Sequence, residues 1–183
     1  MFAKIAAPIV MPLAYGSWHY FQGNYEAAEL WSDQSLIARP SFFAYFLKAS
    51  ANLKRQDFRK AELDFSQALD LKPDLVDAYK GRALARLNLN DVQGVIDDFS
   101  RVIEMKPQDP DAYFMRGHML SKQGKSREAY LDLYRAAALY RADQKNALAE
   151  KADHLANKLM DLYGKSIEKG LSPKDVNSKS KTG

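Results

Sequence analysis

The chain has 183 residues, 46% of them hydrophobic, which suffices for one domain or a short repeat array and is too few for several independent domains. Lys and Arg number 27 against 23 Asp and Glu, so the net charge of +4 is a small surplus on a surface of both signs and does not indicate a nucleic-acid-binding protein. The absence of cysteine excludes disulfide scaffolds, thiolate metal sites and cysteine nucleophiles.

The N-terminal stretch from Met1 to Tyr15 is mostly apolar and ends near a small-x-small sequence of the kind found at signal-peptide cleavage sites. Pro8 and Pro12 interrupt it, and it is shorter than the ~20 residues that a membrane-spanning helix requires. We assign residues 1–8 to an N-terminal segment and expect Ile9–Leu13 to cover the exposed apolar end of the first repeat. Membrane association or export through this segment is the alternative.

Prolines mark a repeat along the rest of the chain. Pro40, Pro73 and Pro107 lie 33 and 34 residues apart, and the residues around each keep the same phase. Several columns of similar side chains hold this register over about four periods, which is hard to obtain by chance. The columns are Tyr45, Tyr79 and Tyr113; Gly16, Ala49, Ala83 and Gly117; Ala28, Ala61, Val95 and Ala129; Phe65, Phe99 and Leu133; and Ala68, Val102 and Ala136.

Each period predicts a pair of helices. Ala61, Phe65 and Ala68 recur at i, i+4 and i+7, which places them on one face of a helix. Polar turns such as Gln22 to Asn24 separate the paired helices, because Gly, Asn and Asp tolerate left-handed backbone and cap helices. The second helix is expected to end before the proline, since the residue preceding proline is pushed out of the α region.

These units resemble tetratricopeptide repeats, whose pattern combines a small residue at the helix crossing, alanine followed by an aromatic residue, and proline. The resemblance implies an all-α fold, an α-solenoid of helix-turn-helix repeats with a C-terminal capping helix. Three units match well, and the first diverges because Pro12 and Ser32 replace the usual tyrosine and the usual phenylalanine or leucine. The four repeats at 9–143 are 9–41 (divergent), 42–75, 76–109 and 110–143.

Two elements are predicted beyond the repeats. Residues 144–170 keep a leucine stripe, which predicts a capping helix over the apolar face of the last repeat. Arg141 stands where a closing proline is expected, which suits a chain that runs on into another helix. Residues 171–183 have no apolar period, so we expect a flexible, solubilising tail, with a contact to nucleic acid or acidic lipid as the alternative.

Catalytic motifs are absent from the sequence. It has no phosphate-cradling glycine loop, no pair of histidines four residues apart and no serine nucleophile elbow. Asp64, Asp98 and Asp132 recur at 34 residues, which indicates a structural role repeated in each unit, such as pairing with Arg or Lys of a neighbouring helix. We therefore expect no enzyme activity, no metal and no cofactor.

The resemblance also implies a concave groove lined by the first helix of each unit. Exposed Phe side chains in such a groove indicate a partner segment with hydrophobic anchors, either an extended peptide or an amphipathic helix. The alternative is that Phe43 and Phe46 are buried against the first unit's helices. The predicted groove residues are Tyr20, Phe43, Phe46, Leu47, Ser50, Leu53, Lys54, Asp77, Lys80, Leu84, Asp111, Phe114, Met115, His118 and Lys122.

One ligand class of the family does not fit this sequence. Tetratricopeptide domains that bind the acidic C-termini of heat-shock chaperones use a clamp of Lys, Asn, Asn, Lys and Arg on three successive first helices. The positions corresponding to that carboxylate clamp hold Phe46, Ser50, Gly81, Asp111 and Met115.

The sequence therefore predicts a non-enzymatic protein-protein interaction module, an adaptor or assembly factor in the cytoplasm, whose partner is another protein and not a nucleic acid. Two alternatives stay open: a secretion-type chaperone that covers a hydrophobic segment of an exported protein, and a membrane-associated assembly protein tethered by Met1 to Leu13. The aromatic residues of the divergent first unit, among them Trp18, Trp31 and Tyr25, further suggest a homodimer through the N-terminal repeat.

Overall fold

The computed structural model describes residues 3–168, with side chains described from 11 to 162. The predicted tail at 171–183 and the first residues of the N-terminal segment lie outside this range. The described residues form nine α-helices and no strand. The helices are α1 (Ala3–Phe21), α2 (Tyr25–Ala38), α3 (Phe42–Lys54), α4 (Phe58–Leu71), α5 (Val76–Asn88), α6 (Val92–Met105), α7 (Pro110–Lys122), α8 (Ser126–Ala142) and α9 (Asn146–Glu168).

The chain divides into two compact units, one up to Asp91 and the other from Val92 onward. In the first unit α1 to α5 pack in sequence, and α3 also contacts both α1 and α5. This places α1, α3 and α5 in one layer, which we call the inner layer, and α2 and α4 in the other. In the second unit α6 to α9 pack in sequence.

The second helix of each hairpin ends before a proline, as the sequence predicts. α2 ends at Ala38, α4 at Leu71 and α6 at Met105, each two residues before one of the recurring prolines. The helix that lacks such a proline, α8, runs on to Ala142 and is followed by α9. The proline spacing therefore sets the lengths of the outer helices.

The turns inside the hairpins share one backbone conformation. Gly23 has φ of 78° and Gly124 has φ of 73°, in the left-handed region that glycine adopts without steric penalty. Gln56 and Asn90 take the equivalent places at 66° and 60°. A side chain at such a position destabilises the turn by roughly 1 kcal/mol, and the helix packing on either side must offset it.

The first helix differs from the prediction. The sequence treats Pro8 and Pro12 as interruptions, whereas α1 is one continuous helix of 19 residues that contains both. A proline inside a helix removes one backbone donor and crowds the carbonyl four residues earlier, so both prolines destabilise α1 without ending it. The first helix therefore begins before residue 9, where the sequence places the start of the first repeat.

The repeat columns form the core of both units. Small side chains let the paired helices approach closely, and one larger apolar side chain per hairpin fills the space beside the crossing. Ala28, Ala61, Val95, Ala129, Ala68, Val102 and Ala136 are fully buried, and Phe65, Phe99 and Leu133 are at most 3% exposed.

Within the first unit, the close approach of the Phe65 ring to Gly81 of α5 fixes two aromatic side chains. A Cβ on Gly81 would lie 2.3 Å from the Phe65 Cζ atom, so the ring of Phe65 fills the space that a side chain would need. Phe46 of α3 packs edge-on against the same ring, with centroids 5.8 Å apart. Gly81, Phe65 and Phe46 are therefore one interlocked group that joins α3, α4 and α5.

Buried carboxylates join the paired helices. Arg116 of α7 donates hydrogen bonds from Nε and Nη2 to Asp132 of α8 at 2.7 and 2.8 Å, and from Nη1 to Ser100 of α6 at 3.2 Å. The hydrogen bond to Asp132 raises the pKa of Arg116, and partial burial opposes that rise. One cation thus connects three consecutive helices, as the 34-residue recurrence of the aspartates predicts.

The same arrangement occurs two hairpins earlier, in the first unit. Lys48 of α3 lies 3.6 Å from Asp64 of α4 and 2.9 Å from Asp33 of α2. Burial raises the pKa of Asp64, although Lys48 and the hydrogen bond donated by the Asn52 amide favour its charged form. Asp98, the middle member of the column, is 1% exposed. The prediction of a structural role is confirmed at Asp64 and Asp132.

We predict that Gly81→Ala lowers the free energy of unfolding by about 1 to 2 kcal/mol, because the new methyl group overlaps a buried ring. Urea denaturation measures the change. Gly16→Ala is the matched control: its Cβ would lie 3.1 Å from the flexible Leu47 Cδ2 atom, and the gain in helix propensity offsets that contact. Phe65→Leu should reduce the cost of Gly81→Ala, and additive losses would contradict this account.

We predict that Arg116→Leu destabilises the chain by about 2 to 3 kcal/mol, because it leaves the buried Asp132 carboxylate without its cation. Thermal or urea unfolding measures the loss. Arg101→Leu, which removes a cation from the exposed pair with Glu104, should change stability by less than about 0.5 kcal/mol. Equal effects of the two substitutions would show that Arg116 acts as a surface residue.

Candidate functional site

The predicted groove residues divide between the two units. Those of the first unit lie on α1, α3 and α5, the three helices of the inner layer, and those of the second unit lie on α7. In the first unit Phe43, Lys54, Asp77 and Leu84 are exposed, Tyr20, Phe46, Ser50, Leu53 and Lys80 are half-buried, and Leu47 is buried.

Leu47 is a correction to the prediction. Its side chain is 6% exposed and lies in the core. The Leu47 Cδ2 atom fills the space opposite Gly16 of α1, where a Cβ would be 3.1 Å away. The small residue on α1 lets this leucine pack between α1 and α3, so Leu47 cannot contact a partner.

Phe46 and Phe43 have different roles. Phe46 is half-buried because its ring rests on Phe65, which in turn fills the space beside Gly81. Phe43 lies three residues earlier on the same helix and is 43% exposed. Phe46 thus forms a fixed floor and Phe43 is an exposed ring, and that both line a partner-binding groove stays a prediction.

Leu84 is the exposed apolar residue of α5. It is 42% exposed and lies seven residues after Asp77 and four after Lys80, so the three share a helix face. Because α5 contacts α3, this face and the Phe43 face belong to the same inner layer. We call Phe43, Phe46 and Leu84 the apolar patch of the first unit.

Tyr20 lies at the end of α1 and contacts its own hairpin. Its ring is 5.5 Å from that of Tyr25, the first residue of α2, and 5.9 Å from that of Phe21. Burial, with a smaller contribution from Tyr25, raises the pKa of the Tyr20 hydroxyl. Tyr20 therefore supports the turn between α1 and α2, apart from the apolar patch.

In the second unit two predicted groove residues interact with neighbouring helices. The hydroxyl of the buried Tyr140 donates to the Asp111 carboxylate at 2.5 Å, and burial together with that bond raises the pKa of Tyr140. The ring of Phe114 packs against Tyr140 at 6.4 Å, and Lys151 Nζ lies 5.5 Å above it. Asp111 and Phe114 thus help to attach α7 to α8 and α9.

His118 and Lys122, by contrast, face a cleft together with α9. His118 is half-buried and Lys122 is exposed. Burial, and then the nearby charges of Lys122 and Lys151, lower the pKa of the His118 imidazole. Met115, the remaining predicted groove residue of α7, is half-buried.

Sequence reasoning missed the part that α9 plays in this cleft. It assigns the leucine stripe of the last helix to capping alone, and in the structure Leu155, Leu159 and Leu162 also line the cleft with Lys158. The signal was available: Lys151 and Lys158, seven residues apart, flank one side of the stripe. Asp153, on the other side, pairs with Arg141 of α8.

Membrane-spanning helices and metal sites are absent from the described residues. None of the described helices is long and apolar enough to cross a membrane. No group of three or more His, Asp or Glu side chains among them is placed to hold a metal ion.

Comparison with known proteins places the fold. Residues 47–120 match the family model of the tetratricopeptide repeat, and no curated protein matches the chain. A crystal structure of MamA is similar with a TM-score of 0.71 and 21% identity, covering 75% of this chain and 81% of that one. A second MamA crystal structure has a TM-score of 0.70 and 18% identity, covering 89% and 92%.

A third structure is the second TPR domain of human RPAP3 in complex with an HSP70 peptide. It has a TM-score of 0.59 and 23% identity, covering 63% of this chain and 97% of that domain. Together with the buried repeat columns, these structures show an all-α helical-repeat solenoid, and residues 47–120 carry the match to the tetratricopeptide repeat model.

Proposed function

We propose that this interaction module is a non-enzymatic adaptor or assembly factor that binds an apolar peptide or an amphipathic helix of a partner protein on the inner layer of its first unit. The observation that carries the proposal is the apolar patch. Phe43 and Leu84 are each more than 40% exposed on helices that the core holds in place. Exposed apolar side chains on a rigid layer favour a partner with complementary anchors.

The floor of the patch supports the same proposal. Phe46 cannot move without disturbing Phe65 and the close approach at Gly81, so a bound side chain would meet a preformed surface. A preformed surface loses little conformational entropy on binding, which favours affinity. Lys54, Asp77 and Lys80 supply charges on the same helices that could orient the ligand.

The RPAP3 domain supports the proposal that this chain binds a peptide. The residues of this chain favour a peptide of different chemistry from the one bound by RPAP3. That domain was solved with an HSP70 peptide. In this chain the places of the carboxylate clamp are taken by residues that include the half-buried Phe46 and the buried Gly81, neither of which can hold a carboxylate. The proposed ligand of the first unit is therefore recognised by apolar contacts instead of a terminal carboxylate.

We predict that the double substitution Phe43→Glu with Leu84→Glu strongly reduces partner binding and leaves the unfolding midpoint close to that of the wild type. Both side chains are substantially exposed, so charge is tolerated by the fold but repels apolar anchors. Affinity capture from native lysate, quantified by mass spectrometry, compares the variant with the wild type. A captured partner that is insoluble without this chain would favour the secretion-type chaperone alternative.

The matched control is Leu63→Glu with Leu71→Glu. These leucines are 67% and 50% exposed on α4, an outer helix, and the control introduces the same two charges. It should keep the wild-type partner. Equal loss of binding in both double variants, or loss in neither, would contradict the inner-layer site.

A second candidate function, self-association, has its own observation. The described part of α1 carries an exposed apolar stripe of Met11, Ala14, Tyr15 and Trp18 that lines a shallow pocket. Met11 is 57% and Trp18 56% exposed, while Tyr15 stacks on Trp31 of α2 with centroids 5.2 Å apart. We propose that two copies associate through this stripe, since large exposed aromatic surfaces favour protein interfaces.

We predict that the molar mass from light scattering rises with protein concentration for the wild type, and that Met11→Ser with Trp18→Ser removes the rise. Both side chains are mostly exposed, so the variant should remain folded. Leu30→Ser with Ile37→Ser, on exposed positions of α2, is the matched control and should still associate. A constant monomer mass for the wild type would exclude the dimer.

A further inference from the structure

A cleft lies in the second unit between α7 and α9, over α8. Leu133 of α8 and Leu155, Leu159 and Leu162 of α9 line its apolar surface, and Lys122 and Lys158 border it. Leu133 is 1% exposed and forms part of the core, whereas Leu162 is 47% exposed. The cleft thus has a floor of leucines, of which Leu133 is held in the core, and a lysine on each of the two facing helices.

The charged side chains that line the cleft are both lysines. Lys122 and Lys158 are exposed on opposite helices, and Lys151 lies on the cleft side of α9, above the ring of Phe114. Three carboxylates of the same helices are engaged elsewhere. Asp111 accepts from Tyr140, Asp132 pairs with Arg116, and Asp153 pairs with Arg141.

This combination selects the chemistry of an occupant. An apolar floor takes aliphatic or aromatic side chains, and lysines on both borders take carboxylates. An amphipathic helix with a leucine face flanked by acidic residues supplies both along one segment. A nucleic acid fits less well, because single strands bind by stacking on exposed aromatic rings, and the floor is leucine while the nearby Phe114 ring is covered by Lys151.

Resting on the proposed role as an interaction module, we propose that this cleft binds an acidic amphipathic helix of a partner protein, with its apolar face on Leu155, Leu159 and Leu162 and its carboxylates at Lys122, Lys151 and Lys158. Its residues belong to the second unit, whereas those of the apolar patch belong to the first, and the two sets differ in charge. The chain therefore carries two recognition surfaces of different chemistry.

The test uses the full chain and three fluorescein-labelled synthetic helical peptides with the same leucine pattern, flanked by Glu, Gln or Lys. Fluorescence anisotropy measures their affinities. The acidic peptide should bind about tenfold or more tightly than the Gln peptide, and the Lys peptide should bind least. Its affinity should fall as salt rises, because exposed charges are screened over about 8 Å at physiological ionic strength.

A charge-reversal pair locates the binding. Lys122→Glu with Lys158→Glu should lower the affinity for the acidic peptide by about tenfold or more and raise the affinity for the Lys peptide. Lys125→Glu with Arg135→Glu makes the same change in net charge at exposed positions of the second unit and should leave the affinities near those of the wild type. Equal effects of the two pairs would indicate binding to net charge alone and would overturn the proposal.

His118 reports on the cleft directly. The chain has three histidines, so the imidazole signals are resolvable by proton NMR and His118→Gln assigns one of them. Binding of the acidic peptide should shift the His118 signal, which lies among Lys122, Lys151 and Lys158. An unchanged signal, no binding of the acidic peptide, or its displacement by a single-stranded oligonucleotide would overturn the proposal.

Failure of the cleft proposal can be distinguished from failure of the proposed binding to the apolar patch. Phe43→Glu with Leu84→Glu should leave the acidic peptide affinity unchanged, since those residues belong to the first unit. Loss of partner capture in that variant with intact peptide binding would support both sites. Intact capture with peptide binding lost only in the lysine variant would support the cleft alone.

Discussion

The close crossing of paired helices is the constraint on which the rest of this structure depends. At Gly117 a Cβ would lie 3.0 Å from the Asp132 Cβ atom and 3.1 Å from the Ala129 carbonyl oxygen, so the two backbones nearly touch. Such proximity requires a glycine or alanine on one helix and permits only one larger side chain beside it. The recurrence of small residues at 34 residues follows from repeating this crossing in every hairpin.

The buried polar groups depend on the same crossing. Because α7 and α8 lie so close at Gly117, the Asp132 carboxylate reaches the guanidinium of Arg116, and that cation also reaches Ser100 of the preceding outer helix. In the first unit Lys48 joins Asp64 to Asp33 in the same manner, with a longer contact to Asp64 at 3.6 Å and a contact of 2.9 Å to Asp33. Such a cation contacts the outer helix before it and the outer helix after it, and so connects one hairpin to the previous one. Charged hydrogen bonds fix the relative orientation of these helices, whereas apolar packing has no directional preference.

Residues that do not take part in the helix crossing are not constrained by it, and they differ between the two units. The inner layer of the first unit exposes Phe43 and Leu84 over an aromatic floor, whereas the cleft of the second unit places lysines around leucines. The packing columns are shared, so this difference leaves the fold unchanged. One repeat fold can therefore present an apolar surface and a basic amphipathic surface on the same chain.

The sequence by itself determined the repeat, its helical hairpins, the buried columns and the structural role of the aspartates, because each is repeated and depends on contacts within or between adjacent hairpins. The residues of the apolar patch were also predicted from the sequence, but which of the predicted groove residues are buried and which are exposed was not. Only the tertiary structure showed that Leu47 is buried opposite Gly16, that Phe46 rests on Phe65, and that α9 lines a cleft with α7. The physical reason is that helical periodicity assigns a residue to a face, whereas its exposure depends on the size of the side chain on the helix opposite, and that helix lies up to a whole repeat away in the sequence.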